Sequence, residues 1–223
     1  MATAGKKTGQ PDDKARKRSA SRMRSPERRE QIVETTLALV AKYGVPGTTL
    51  TRIASAVGVT TPALYAHFAN RREILLEALE VLIRRRSTAH HLVTEGAPLE
   101  RLREIGHRHS ELVASDDTSV LALFEFIAAG PEEGLRETLG ERHLGLLDEL
   151  ARIVEEGQED GTIIRGLDPQ QIAWMMVSRA WTEDIAALMG ISHAWNQERS
   201  NQMLELILDS IAAPTREETP PTE

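Results

Sequence analysis

Apolar residues recur every three or four positions over most of the chain, and this spacing predicts α-helices rather than strands. The first helix is expected to begin at Ser25, with Pro26 as its first residue, and to stop at Gly44. Its apolar stripe consists of Val33, Leu37 and Val40. One face of this helix is therefore expected to be buried.

Two short helices joined by a tight turn are predicted next. Thr49 is expected to cap the first and Thr60 the second, with Gly58 taking the left-handed backbone that the turn requires. Their inward-facing residues are Leu50, Ile53, Ala54, Val57, Val59, Leu64 and Phe68. Two short helices held together in this way form the helix-turn-helix of DNA-binding proteins. A longer helix is expected to follow, over residues 71–90.

The remaining periodic segments also predict helices. Asp168 and Pro169 supply a cap and a first-turn proline for one of them, and the last helix is expected over residues 192–213. No segment shows the strict alternation of apolar and polar residues that is typical of a strand. The sequence therefore predicts an all-α fold of about nine helices, in which an N-terminal three-helix DNA-binding domain precedes a C-terminal helical domain.

Composition excludes several classes of protein. The 223 residues include no cysteine, so disulfides and thiolate metal sites are excluded. The absence of disulfides fits a location in the reducing cytoplasm. No apolar run reaches about 18 residues, and the basic N-terminus lacks the apolar stretch of a signal peptide, so no membrane contact is expected. No phosphate-binding glycine loop, zinc motif or nucleophile elbow is present. Neither an enzyme, nor a metal, nor a cofactor is therefore expected.

The formal net charge of −7 conceals an asymmetry along the chain. Residues 1–86 contain 17 Lys and Arg against 8 Asp and Glu, whereas residues 87–223 contain 10 against 26. A basic half that carries a helix-turn-helix indicates binding to nucleic acid. Residues 1–24 are expected to be a disordered basic arm, which is either a solvated tail or a segment that follows DNA phosphates. The acidic, proline-rich residues 214–223 are also expected to be disordered.

Between residues 27 and 80 the sequence resembles the TetR family of transcriptional regulators. The residues that carry the resemblance are Thr49, Ile53, Ala54, Gly58, Val59, Leu64, Tyr65, His67, Phe68 and Asn70. The rest of the chain resembles the family only in being helical and of the expected length. The resemblance implies a DNA-binding domain over residues 25–71 and a helical domain for effector binding and dimerisation over residues 72–213.

The resemblance also implies a set of DNA contacts. The implicated residues are Thr49, Thr60, Thr61, Pro62, Ala63, Tyr65, His67 and Arg71. Tyr65 would hydrogen-bond a phosphate, whereas Pro62 and Ala63 could touch a thymine methyl group. The alternatives are that the threonines only cap helices and that His67 packs beneath its helix. No Arg, Asn or Gln lies on this face, so sequence preference could come from DNA shape.

The helix that follows Pro169 is apolar on two sides, which indicates burial on two sides. One side consists of Trp174, Ser178, Trp181, Ile185 and Leu188. The other side consists of Ile172, Met175, Met176, Arg179 and Ala186. Because the last two helices of TetR proteins pair with their mates, the resemblance implies a homodimer that binds a palindromic operator in double-stranded DNA. The alternative is that both sides belong to the core of one subunit.

Polar residues within apolar stripes are candidates for contact with a small, largely hydrophobic effector. Together with apolar neighbours, the candidates are His109, Phe124, Glu125, His143, Met176 and Arg179. For each of the polar ones, the alternative is an internal ion pair or a histidine satisfied within the core. The function expected is that of a sequence-specific regulator, a repressor released from its operator by the effector. The alternative is a DNA-binding regulator controlled by a protein partner or without any small-molecule effector.

Overall fold

The structure is a computed structural model that describes residues 25–91, 95–115, 117–130 and 134–214. The nine helices within these ranges are α1 (Ser25–Gly47), α2 (Leu50–Val57), α3 (Thr61–Leu64), α4 (Arg71–His91), α5 (Pro98–Ser115), α6 (Asp117–Ile127), α7 (Leu135–Asp160), α8 (Pro169–Leu188) and α9 (Gln197–Ile211). The same ranges contain no strand beyond one isolated bridge, between Ile163 and Ala212. The predicted all-α fold is thus confirmed. The predicted arm, residues 1–24, and residues 215–223 of the predicted tail lie outside the described residues.

The regular part of α1 ends at Gly44, as the sequence predicts. Gly44 has φ 71° and ψ 169°, a backbone conformation that only glycine adopts readily. A single further turn, which contains Pro46, completes the element. The Thr48 hydroxyl then donates a hydrogen bond of 2.8 Å to the Gly44 carbonyl and closes the corner that leads into α2.

The starts of α8 and α9 test the predicted caps. The Asp168 side chain accepts a hydrogen bond of 2.9 Å from the Gln170 N–H, so the predicted start of α8 is confirmed. The predicted start of the last helix at Ser192 was wrong, because α9 begins at Gln197. Asn196 caps it by accepting a bond of 3.0 Å from the Arg199 N–H, and asparagine is among the best N-cap residues.

Buried apolar residues form two clusters. The first is built by the first four helices and is completed by Ala122 and Phe126 of α6 and Leu135 of α7. The second is built by α5, α7, α8 and α9, with Ile163 from the loop after α7. Because α6 packs along α1 and contributes to the first cluster, the first helix is held against the C-terminal helices.

The helix α4 connects the two parts of the molecule. Ile74 and Leu75, near its start, are fully buried in the first cluster, where α4 packs against α1. Arg86, near its end, forms an ion pair with Asp184 of α8.

No helix in the described ranges is long and apolar enough to cross a membrane.

Candidate DNA interface and effector cavity

The two short helices α2 and α3 meet at the turn that the sequence predicts. Thr49 caps α2, and its hydroxyl accepts a hydrogen bond of 3.2 Å from the Arg52 N–H. Gly58 has a left-handed backbone (φ 78°, ψ 32°), and the following Val59 N–H donates to the Ala54 carbonyl at 2.9 Å. These bonds fix the angle between the two helices, so α3 is presented as a rigid element.

The outer surface of α3 and of the turn after it is open to solvent. Tyr65 is 53% exposed, and Thr60, Pro62 and Ala63 are exposed beside it. Thr61 and His67, the other predicted residues of this surface, are half-buried. Beneath them, Leu64 and Phe68 are buried in the first cluster. The predicted DNA contacts of α3 therefore lie along one accessible ridge.

Thr60 occupies the N-cap position of α3, but its hydroxyl accepts no capping hydrogen bond. The predicted capping role of this side chain was therefore wrong. Pro62 in the first turn has no N–H to be capped, which removes one of the donors that a threonine would satisfy. The exposed Thr60 hydroxyl is not engaged as a cap and lies on the accessible ridge.

Arg71 begins α4 and ties it to the corner between α1 and α2. Its Nε donates a hydrogen bond of 2.8 Å to the Thr48 carbonyl, and its Nη2 donates to the Val45 carbonyl. By donating to two backbone carbonyls, this guanidinium fixes the start of α4 against the corner between α1 and α2. The phosphate contact expected of Arg71 stays a prediction.

Arg29 of α1 is a positioning residue that sequence reasoning missed. Its guanidinium carbon lies 3.9 Å from the centre of the Phe68 ring, and its Nη2 donates to Glu73 of α4 at 2.9 Å. It also donates to the His67 carbonyl. Arg29 thus locks the end of the α3 region between α1 and α4. No local pattern could reveal it, because its partners are about forty residues away.

A second group of basic residues lies beside the N-terminus of α2. The Arg52 guanidinium carbon is 4.2 Å from the centre of the exposed Tyr43 ring, and the Lys42 ammonium lies 5.1 Å from the same ring. Both basic side chains are exposed, as is Thr49, whose hydroxyl accepts from the Arg52 N–H. Sequence reasoning did not single them out, although each is a lone basic residue in a segment that contains few others.

The C-terminal helices form a partly open cavity of about 110 Å³ between α4, α5, α7 and α8. Four of the six candidate effector residues line it, namely His109, His143, Met176 and Arg179. The apolar part of its wall includes Leu82, Ile105, Leu139, Leu146, Leu150 and Val177. An apolar wall with a few convergent polar groups is typical of a small-molecule site.

The other two candidates, Phe124 and Glu125 of α6, are not among the residues that line this cavity. Glu125 extends toward the DNA-binding part, where its Oε2 lies 2.6 Å from the position that a Cβ on Gly44 would take. The residue by which α6 reaches the cavity is Leu123, which sequence reasoning missed because one more leucine in an apolar run gives no signal.

Arg179 is the centre of a buried polar network on one side of the cavity. Its Nη2 donates to the Gly106 carbonyl at 3.0 Å, and its Nη1 lies 3.4 Å from Glu183 Oε2. Ser110 and Ser200 each donate a hydrogen bond of 2.9 Å to that same carboxylate oxygen. Burial raises the pKa of Glu183 and lowers the pKa of Arg179, and the charges of the two groups oppose these shifts.

Arg86 and Asp184 form a second buried ion pair in the wall of the cavity. Arg86 Nη2 donates to both carboxylate oxygens of Asp184, at 2.8 and 2.7 Å, and Asp184 is 1% exposed. His109 Nε2 lies 3.2 Å from the Ala180 carbonyl. Burial, reinforced by the positive charges of Arg86 and Arg179, lowers the pKa of His109 to about 3, so this histidine is neutral.

One side of α8 faces the core and the other faces solvent. Ile172, Met176, Arg179 and Ala186, from one of the two predicted sides, are buried, whereas Trp174 and Trp181 of the other side are exposed. Met175 departs from the predicted grouping, since it was placed on one side with Met176 and Arg179 but is 42% exposed. The His143 ring of α7 stacks on Trp181 at a centroid distance of 4.9 Å.

No metal-binding group of three His, Cys, Asp or Glu residues is found in the described ranges.

Comparison with known proteins assigns the motif to a family. Residues 32–78 match the family model described as bacterial regulatory proteins of the tetR family. Over 81% of this chain and 94% of its own length, the fatty acid metabolism regulator protein of Bacillus subtilis (strain 168) is 25% identical.

Solved structures share the whole fold. A putative TetR-family transcriptional regulator from Rhodococcus sp. superposes with a TM-score of 0.68 at 25% identity, over 83% of this chain and 98% of that one. The transcriptional regulator FadR from Bacillus subtilis, in complex with stearoyl-CoA, gives a TM-score of 0.67 at 23% identity, over 82% and 98%. The likeness therefore extends through the C-terminal helices.

Proposed function

This chain is a DNA-binding transcriptional regulator of the TetR family, and on that premise we propose that it is a homodimeric repressor released from a palindromic operator by a small effector. The observation that carries the proposal is the course of α4. Leu82 of this helix is buried in the cluster that supports the helix-turn-helix and also lines the cavity. A ligand that changes the cavity wall therefore acts on a helix that begins at the DNA-binding motif.

We assign DNA binding to residues 25–71 and effector binding and dimerisation to residues 72–213. The exposed ridge of α3 enters the major groove, where Tyr65 and the threonines bind phosphates or base edges. Lys42 and Arg52, which are exposed and lie at the Tyr43 ring, add electrostatic attraction to the DNA backbone. Such a protein acts on the chromosome, in the cytoplasm.

The exposed apolar side of α8 supports the homodimer. Trp174, Trp181 and Leu188 lie there, and Leu206 of α9 is exposed as well. An apolar surface of this kind is typical of an interface between subunits. A palindromic operator is read by two heads about 34 Å apart, so a twofold dimer is the assembly that fits it.

Support for an effector comes from the cavity and from the relatives. FadR from Bacillus subtilis is solved with stearoyl-CoA, and it shares the C-terminal fold of this chain. The cavity here has a mainly apolar wall and buried polar side chains, which suits a largely hydrophobic ligand. By linkage, such an effector and the operator weaken each other's binding by the same factor.

Footprinting on DNA from the region upstream of the protein's own coding sequence tests this function. We expect two protected half-sites related by a palindrome, with centres one helical turn apart or a multiple of it. Sedimentation of the same sample is expected to give the mass of a dimer. Protection without a palindrome, or a monomer bound to the site, would overturn the proposal.

A further inference from the structure

The three guanidinium groups that line the cavity each have a carboxylate partner. Arg86 Nη2 lies 2.7 Å from Asp184, and Arg142 Nη2 lies 2.9 Å from Glu80. Arg179 Nη1 lies 3.4 Å from Glu183. The positive charges at the cavity are therefore already balanced by negative ones.

The two histidines of the wall do not alter this balance. The pKa of His109 is about 3, and burial lowers the pKa of His143 as well. Both rings are therefore neutral near pH 7. A carboxylate or phosphate placed in the cavity would bring an extra negative charge into a buried site that has no free positive charge to receive it.

Two of the side chains that line the cavity, in contrast, each keep a buried hydrogen-bond donor without an acceptor in the described part of the chain. Arg86 Nη1 and Arg179 Nε are buried and have no acceptor among the described residues, although both side chains line the cavity. Guanidinium nitrogens can only donate. A buried donor without an acceptor is costly, so the site gains free energy from any ligand that brings an oxygen acceptor. His143 Nε2 is a third buried nitrogen without a partner.

The volume of the cavity limits the ligand. About 110 Å³ is less than the roughly 300–1,000 Å³ of ordinary ligand pockets, so the ligand is compact, and a molecule larger than this volume reaches into the open mouth of the cavity. The leucines and valine of the wall favour a ligand that is apolar over most of its surface.

We propose that the effector is a compact, uncharged, mainly apolar molecule whose carbonyl-type oxygen accepts hydrogen bonds from Arg86 and Arg179. This inference rests on the proposed function and specifies the chemistry of its ligand. Recognition is by hydrogen bonding to donors that are already charge-balanced, and the apolar wall excludes ligands that carry a formal charge.

Three probes of nearly the same shape test this chemistry on the full-length protein. Acetophenone has a benzene ring and an uncharged carbonyl, benzoate replaces the methyl group by a charged oxygen, and cumene replaces the carbonyl oxygen by a methyl group. We expect calorimetry to show that acetophenone binds at least about tenfold more tightly than benzoate or cumene. A tenfold difference in affinity corresponds to about one hydrogen bond from a charged donor. Equal or tighter binding of benzoate or cumene, or no binding of acetophenone, would overturn the proposal.

Two matched substitutions identify the donor. Arg86→Lys keeps the positive charge opposite Asp184 and removes the unpartnered nitrogen, so acetophenone binding should weaken by about tenfold. Arg142→Lys is the control, because Arg142 also lines the cavity but its side chain is 57% exposed and has no unpartnered buried nitrogen. Equal effects of the two substitutions would contradict the role of Arg86.

A second pair of substitutions tests the cavity independently, in case the arginine variants fold poorly. Leu146→Trp fills the cavity and should abolish acetophenone binding, whereas Leu144→Trp on the exposed side of the same helix should not. Operator binding without ligand is measured on every variant. If the operator is bound specifically but acetophenone is not, only the ligand chemistry fails; if the operator is not bound, the proposed function fails.

Discussion

Arg86 of α4 and Asp184 of α8 form an ion pair in which one guanidinium nitrogen contacts both carboxylate oxygens, at 2.8 and 2.7 Å. The pair is nearly sealed from solvent and lies in the wall of the cavity. It joins the helix that begins at the DNA-binding motif to the helix that carries the exposed apolar surface. A ligand that binds Arg86 therefore contacts an ion pair that positions both α4 and α8.

The first prediction concerns the stability that depends on this pair. Asp184→Asn leaves the Arg86 charge buried without its partner, so the free energy of unfolding should fall by about 3 kcal/mol. Glu34→Gln is the control, since it breaks the exposed pair between Glu34 and Arg85 and should cost less than about 1 kcal/mol. Urea denaturation measures both. Equal losses of the free energy of unfolding would contradict a larger contribution of the buried pair to stability.

The second prediction concerns pH. The pKa of His109 is about 3 in the folded protein and 6.5 ordinarily, so between these values the unfolded chain binds a proton that the folded chain does not. The contribution of His109 to stability therefore falls as the pH is lowered through this window, by at most about 1.4 kcal/mol per pH unit.

His109→Gln should remove that part of the slope. Burial raises the pKa values of Asp184 and Glu183, which acts in the opposite direction. Both carboxyls are present in the two proteins, so the difference between their stability curves reports on His109. Parallel curves from pH 6.5 to pH 4 would contradict a neutral, buried His109.

The third prediction concerns the corner after α1. Gly44→Ala places a Cβ on a residue with φ 71°, 2.6 Å from Glu125 Oε2, and should lower the free energy of unfolding by about 1–3 kcal/mol. Gly140→Ala is the matched control within α7, where a Cβ would meet no atom within 4 Å. That substitution should raise stability by about 0.5–1 kcal/mol. Thermal melts that shift in the same direction would refute this account.

The fourth prediction concerns Tyr65. Tyr65→Phe removes one hydroxyl from the exposed ridge and should weaken binding to operator and to random DNA alike, by about three- to tenfold. Tyr43→Phe should change affinity little, because the contacts of Tyr43 with Arg52 and Lys42 are made by its ring. Competition binding measures both variants. A change in base preference without a loss of overall affinity would assign Tyr65 a different role.

The helix-turn-helix could be predicted from the sequence because its determinants are local. Thr49 specifies a cap and Gly58 a turn, each within a few residues of the helix it bounds. The start of α9 was misplaced for the same reason, since Ser192 and Asn196 are both good caps and only packing decides between them.

The cavity could be predicted only in part, because its polar wall is assembled from residues far apart along the chain. His109 and Arg179 were recognisable as polar residues within apolar stripes. The partner of Arg86 was not, since Asp184 is 98 residues away. Glu125 satisfied the same criterion as His109, yet α6 turns it toward Gly44. Periodicity places a residue on a face of its helix, but it does not say which helix that face meets.

The central claim, specific DNA binding, is tested most directly by fluorescence anisotropy with labelled duplex from the region upstream of the protein's own coding sequence. The titration is repeated at several salt concentrations and in the presence of excess random duplex. We expect tight binding that weakens steeply with salt and survives the competitor. Binding no tighter than that of random duplex would contradict a specific operator at this site and would reduce the basic N-terminal half to a general grip on phosphates.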